Sequence, residues 1–281
     1  MSRGGTKATG WRKVAAATWG NPNDPQIYGD LEIDASRLLA FIDEVRGATG
    51  VRVTVTHAVG KALANALAEH GDLNARLHRG RFHARESVDI FFVAAVAGGQ
   101  DVSGVKVVGA DRKSLAEIGE ELSRRVERIR SGGEAEVGQG QSVLDATPFW
   151  LLRPVLRFVT WLTADKNANL KRLGLPRQAF GSAMVSSVAM FGVQKAYGPL
   201  SPLFRIPILA LVSEVAEKPV VVDDEIVARP LLTVTATMDH RYLDGAHAAR
   251  LARSVRAYLE DPAAFESLPE REVVVEPPER V

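Results

Sequence analysis

Residues 231–250 read LLTVTATMDHRYLDGAHAAR, and the pattern changes character halfway along. Residues 231–238 are rich in β-branched side chains, which fit a pleated strand. From about Ala246 to Glu260 small and apolar residues alternate with arginines at helical spacing, predicting a closing helix. Between the two, DHRYLDG places His240 where the strand ends and Asp244 with Gly245 where the helix begins. A loop held between two rigid elements presents side chains in fixed directions, so such junctions collect functional groups.

Working outward, PVVVDDEIVARPLLTVTATM predicts a hairpin turning at Asp223 and Asp224, and GSAMVSSVAMFG and IPILALVSEV read as further strands. Upstream, Ile27–Ile33 alternates like a strand, and SVDIFFVAAVAG reads as a long buried one. Three more helices are expected. One starts at Ser36, carries Leu38, Leu39, Phe41, Ile42 and Val45 on one face and stops at Gly47. The second covers roughly Thr56 to Glu69, and the third runs from Ser114 to Ser131 behind a capping box of Ser114 and Glu117. Helices alternating with strand-forming runs point to an α/β fold, a two-layer sandwich of a mixed β-sheet with covering helices. Residues 1–10 read as a flexible lead-in, 11–265 as one catalytic domain and 266–281 as a charged, proline-containing tail. Within the domain, SGGEAEVGQGQ reads as a surface connection and residues 148–176 as an atypical aromatic and basic insertion, with a kink or break expected at Pro154.

Bulk properties narrow the function classes. With 35 basic and 34 acidic residues there is no broad positive field to attract a phosphate backbone, so nucleic acid is not expected as a partner. The absence of cysteine removes disulfides, thiolate metal sites and a cysteine nucleophile, and leaves a cytoplasmic location as the default expectation. No apolar run is long enough to span a bilayer.

Histidine is the side chain whose ordinary pKa allows proton abstraction near neutral pH, and a thiol is acidic enough to be activated by it. That makes His240 the candidate general base. Asp244, four residues on, is read as a brace for the loop, with Arg241 and Arg12 as possible cationic partners. The remaining histidines, His57, His70, His78, His83 and His247, show no metal-ligand spacing, so no metal is expected. The glycine clusters GGQDVSG and GGEAEVGQG lack the lysine and the strand-to-helix context of a phosphate loop.

The string DHRYLDGAHAAR resembles the active-site signature of the acyltransferase component (catalytic domain) of 2-oxoacid dehydrogenase complexes. GWRKVAAAT, GDLNARL with Asn74, SVDIFFVAAVAG, DRKSLAEIGEEL and FGSAMVSSVAMFG resemble further stretches of that family in the same order. The resemblance implies a chloramphenicol-acetyltransferase-like fold, with coenzyme A or acyl-CoA as substrate. It also implies a histidine, here His240, that deprotonates a thiol of coenzyme A or dihydrolipoamide, and a serine that hydrogen-bonds the oxyanion. Ser186 is the first choice for that serine and Ser187 the second, and adjacent strand positions face opposite ways. Arg12 matches the family's loop-bracing arginine. Relatives form trimers whose site is shared between subunits, which makes a homotrimer the expectation here.

Departures from the family shape the rest. No lipoyl or subunit-binding domain fits, so no lipoyl group is expected on this chain, and a dihydrolipoamide acceptor would arrive on a separate lipoyl-domain protein in trans. QDVSGVKVV and FRIPILALVSEV differ from the family's usual channel segments, and the ending PEREVVVEPPERV is too charged for the apolar anchor of larger cages. The aromatic segment, with Arg153 and Arg157 four apart and Trp150 and Trp161 nearby, is expected to pack against the body or a neighbouring subunit, with membrane contact not expected. Two other readings stay open: a noncatalytic trimeric scaffold that keeps the fold, and an acyltransferase acting on an amine or hydroxyl.

Overall fold

Asp223 and Asp224 both adopt left-handed backbone, with φ of 50° and 64°, and this tight reversal joins β7 (Ile208–Val222) to β8 (Glu225–Asp239). Consecutive positive φ angles match the right-handed twist of the strands they connect, and short polar side chains tolerate that conformation best. In the computed structural model, residues 25–78, 80–96, 101–130, 149–169, 177–201 and 204–268 are described. Arg12, the lead-in 1–10, the whole glycine-rich connection, the ends of the 148–176 insertion and the tail beyond residue 268 lie outside them.

The main sheet has six strands in the order β1-β8-β7-β6-β4-β5, with β1 spanning Gln26–Asp34, β4 Ile90–Val96, β5 Asp101–Val107 and β6 Ala183–Ser187. β6 runs parallel to β4 and β7 while the other pairs are antiparallel, so the sheet is mixed. A separate hairpin pairs β2 (Ala75–His78) with β3 (Arg81–Ala84).

Four helices contribute to the main core. These are α1 (Ser36–Thr49), α2 (Val55–Glu69), α3 (Leu115–Arg130) and, at the other end of the chain, the helix Gly245–Glu260. Leu38, Ile42, Leu67, Ile118, Leu251 and Leu259 meet Ile33, Ile90, Val185, Ala210, Leu232 and Val234 in one buried cluster. A smaller cluster of Phe91, Met184, Ile206, Leu209 and Leu211 occupies the opposite face of the sheet. Neighbouring strand residues such as Met184 and Val185 fall in different clusters, as the two-residue period of a strand requires.

Three local readings are sharpened. The capping box forms as expected, with Ser114 N–H donating to Glu117 Oε2 at 2.7 Å and Glu117 N–H donating to Ser114 Oγ at 3.2 Å. Helix α1 does not stop at Gly47. It runs to Thr49 and ends on Gly50, whose φ of 68° lets its N–H reach the Arg46 carbonyl. Pro154 does not break its helix either: α4 covers Phe149–Thr160 and passes into a π turn, Trp161–Asp165, that accommodates irregular backbone bonding at its end. The closing helix Gly245–Glu260 is α5.

Candidate active site

β8 delivers DHRYLDG to the end of the sheet next to edge strand β1. Asp239 N–H donates to the Pro207 carbonyl at 2.9 Å and His240 N–H to the Pro25 carbonyl at 2.7 Å, so the strand end is held from both sides. Just beyond, the N–H groups of Tyr242 and Leu243 donate to the Asp239 carbonyl at 2.9 and 3.2 Å, closing a tight turn. The Asp239 carboxylate is buried and takes Arg241 as its partner, through the backbone N–H at 3.0 Å and the guanidinium at 2.5 Å. A buried carboxylate needs such a cation, and this one comes from two residues along the loop.

His240 is exposed, and its Nδ1 lies 2.7 Å from the Leu243 carbonyl. A carbonyl only accepts, so Nδ1 carries the proton and Nε2 presents the lone pair. Nε2 has no hydrogen-bond partner among the described residues. Leu243, whose carbonyl fixes the tautomer, is 1% exposed, so the ring is oriented by an anchored residue.

Asp244 is the N-cap of α5 rather than the partner of Arg241. Its Oδ1 accepts from His247 N–H at 2.9 Å and lies 2.6 Å from His247 Nδ1. The backbone hydrogen bond from His247 leads the causes that hold the Asp244 carboxyl below its ordinary range. Arg12 falls outside the described residues.

Ser186 lies on β6 opposite Leu211, on the side of the sheet that carries Met184 and faces away from the core helices. Its hydroxyl has no hydrogen-bond partner among the described residues. Ser187 faces the other way, and its hydroxyl is occupied locally, with Ala189 N–H at 3.3 Å and the Val212 carbonyl at 3.4 Å. The registers Ser186↔Leu211 and Leu211↔Thr235 place Ser186 level with Thr235, two strands from β8. Along and across strands of ordinary spacing, His240 is then roughly 19 Å from Ser186 within one chain.

The sequence reading missed the contact between the loop and the β2–β3 hairpin. Tyr242 Oη accepts Leu77 N–H at 2.9 Å, and its ring stands edge-on to Phe82 with centroids 5.7 Å apart. The hairpin is anchored from its other side by Arg76, which donates to the Asp165 carbonyl at 2.9 Å, and by Arg85, which donates to the Ala75 carbonyl at 3.3 Å. Tyr242 sits inside DHRYLDG, yet nothing in the sequence tells which element its ring meets. Asn74 donates to the Ser87 carbonyl at 3.0 Å and steadies the approach to the same hairpin.

An apolar cavity of about 240 Å³ lies on the helix side of the sheet, lined by Gly29, Val59, Ala236, Met238, Ala248 and Ala252 among others. Its walls are almost wholly hydrocarbon and offer little to a phosphate. No group of three or more His, Asp or Glu able to hold a metal occurs among the described residues.

Comparison with known proteins places this geometry. The sequence profile of the 2-oxoacid dehydrogenases acyltransferase (catalytic domain) family matches residues 6–138 and 163–266. The dihydrolipoyllysine-residue acetyltransferase component of the acetoin cleaving system of Bacillus subtilis is 24% identical over 92% of this chain, which spans 55% of that protein. A probable mitochondrial dihydrolipoyllysine-residue succinyltransferase component from Schizosaccharomyces pombe is 31% identical over 43% of the chain, a match that takes in 29% of its own length. Among solved structures, a probable dihydrolipoamide acetyltransferase from Listeria monocytogenes superposes with a TM-score of 0.65 at 20% identity, covering 95% of this chain and 98% of that one. A chloramphenicol acetyltransferase shares the fold at a TM-score of 0.53 and 12% identity, covering 84% of this chain and 89% of the other. With the profile matching most of its length, the chain belongs to the family of 2-oxoacid dehydrogenase acyltransferase catalytic domains.

Proposed function

We propose that this protein moves an acyl group between coenzyme A and a thiol acceptor such as dihydrolipoamide carried on a separate protein, with His240 as general base. The observation that carries the reading is the His240 tautomer: Nδ1–H is committed to the Leu243 carbonyl at 2.7 Å, which leaves the lone pair on Nε2 of an exposed ring. Nε2 takes the thiol proton, and the sulfur pair attacks the thioester carbonyl carbon. The carbonyl π pair moves to oxygen, and the Ser186 hydroxyl donates to that oxyanion. Collapse of the intermediate re-forms the carbonyl and expels the departing thiolate, which recovers the proton from His240. Preorganised donors of this kind are commonly worth two to three powers of ten in rate, roughly 3–4 kcal/mol.

The separation of roughly 19 Å between His240 and Ser186 in one chain, from ordinary strand spacings, favours a site completed by a second copy. We therefore infer a homotrimer in which the serine of one subunit meets the histidine of the next, within a catalytic unit of residues 11–265. The solved structure of the dihydrolipoamide acetyltransferase of Azotobacter vinelandii, 22% identical, addresses the role of a serine, a histidine and an asparagine in that enzyme's catalysis. Ser186, His240 and Asp244 would be the corresponding set here, with aspartate in place of asparagine.

The test is thiol release from several acyl-CoA donors with a panel of thiol, amine and hydroxyl acceptors, comparing wild type with His240→Ala. Loss of at least a hundredfold in kcat in the variant supports the mechanism. Unchanged activity sinks it, and failure of the wild type to bind coenzyme A in a titration favours the noncatalytic scaffold.

A further inference from the structure

The segment 149–165 is unlike the rest of the surface. On α4, Leu151, Val155 and Phe158 recur at helical spacing and are 38%, 36% and 60% exposed, and Trp161 at the start of the π turn is 40% exposed. Phe158 and Trp161 lie ring to ring at 5.8 Å, and Lys166 Nζ stands 5.3 Å from the Trp161 centroid. The apolar stripe, expected to pack against the body or a neighbouring subunit, faces away from the body in the described chain. The inner side of the same segment is anchored: Arg205 pairs with Asp165 at 3.2 Å and Arg76 donates to its carbonyl.

We propose that this stripe is a docking surface for an anionic lipid bilayer, on which α4 lies in the plane of the interface. Charge favours that occupant. Between 149 and 172 the sequence carries Arg153, Arg157, Lys166, Lys171 and Arg172 against the single acid Asp165, which Arg205 already neutralises. A copy meeting this stripe with the same face would bring these cations together, whereas anionic headgroups complement them; a contact with a different face of a neighbouring copy is the outcome the mass measurement below tests. Aromatic and aliphatic side chains on one helix face, flanked by arginine and lysine, are the composition of helices that lie in the headgroup region. Among the described residues no helix is long and apolar enough to cross a membrane, so the segment lies on the bilayer. The family profile passes over residues 139–162, so the helix answers no requirement of the shared fold. The inference is independent of the acyl-transfer reading.

The test is co-sedimentation of the full chain with vesicles of phosphatidylcholine alone and of phosphatidylcholine mixed with phosphatidylglycerol, at low and at physiological salt. Binding to the mixed vesicles is expected, weakened by salt, with a partition coefficient at least tenfold above that for neutral vesicles. The exposed pair Phe158→Glu and Trp161→Glu should lower it by tenfold or more with far-UV circular dichroism unchanged. Arg157→Glu and Lys166→Glu should each cost about fivefold or more. No binding at low salt, equal binding to neutral vesicles, or full binding by the aromatic variant overturns the proposal. So does a fall in oligomeric mass in the aromatic variant without vesicle binding by the wild type, which would make the face a contact between copies.

Discussion

Replacing Tyr242 by phenylalanine removes one oxygen from the loop that carries His240 and leaves the ring on Phe82. The lost atom is the acceptor for Leu77 N–H at 2.9 Å, a side-chain hydrogen bond by which the hairpin β2–β3 grips that loop. A partly buried backbone donor left unpaired costs about 1–2 kcal/mol. In a chain of this size that lowers Tm by a few degrees, at about 2–4 °C per kcal/mol. If the bond also selects the loop arrangement in which Leu243 fixes the imidazole, about 1 kcal/mol of lost bias lowers the poised population, and with it kcat, roughly fivefold. The assay is steady-state acyl transfer at 25 °C across pH, run beside thermal unfolding. The expected result is a lower kcat together with a Tm lowered by a few degrees. Phe82→Ala separates the ring contact from the hydroxyl. A Tyr242→Phe protein that melts early yet keeps kcat within twofold of wild type would show that the hairpin stabilises the fold without positioning the base.

Three other outcomes follow from the geometry. Ser186→Ala should lower kcat by about 10²–10³, whereas Ser187→Ala, whose hydroxyl is spent on Ala189 N–H and the Val212 carbonyl, should stay within about threefold; the reverse ranking would reassign the oxyanion donor. Burial against Phe92 pushes the His57 pKa down from 6.5 to about 4, so the folded state keeps it neutral while the unfolded chain protonates it. The stability this provides is fully present above pH 6.5 and is lost as pH falls towards 4, by roughly 3 kcal/mol in all. Urea unfolding of His57→Leu should show a flatter pH dependence in that window, and an unaltered slope would refute the assignment. Gly181 has φ of 66°, and a Cβ there would lie 2.5 Å from the Asp89 carbonyl oxygen. Gly181→Ala should therefore drop Tm by about 5 °C or more, and a change under 2 °C would mean that the β4–β6 junction yields easily.

Local chemistry was legible in the sequence. The turn at Asp223 and Asp224, the box of Ser114 and Glu117 and the strand-to-helix passage at DHRYLDG each depend on a few neighbouring residues, and each forms where the sequence placed it. So did the two-layer α/β architecture, because periods of two and of 3.6 residues report which faces must be covered. The end of α1 was harder, since Gly47 and Gly50 are equally able to cap a helix, and it is Gly50 whose left-handed backbone returns its N–H to the Arg46 carbonyl.

What only the tertiary structure decided concerns partners distant in sequence or of the same kind. Charge alone made Arg241 a plausible mate for Asp244, but the turn geometry delivers it to Asp239, and Asp244 turns instead to the start of α5. Ser186 and Ser187 are chemically identical, and the sheet separates them physically by occupying the Ser187 hydroxyl while that of Ser186 has no partner among the described residues. The grip of Leu77 on Tyr242 crosses 165 positions of sequence. The sequence by itself determined the local frame around His240 and around the serine pair, because those are short-range patterns. The aim of those groups, and which stripe of α4 faces outward, followed from packing, which no local pattern records.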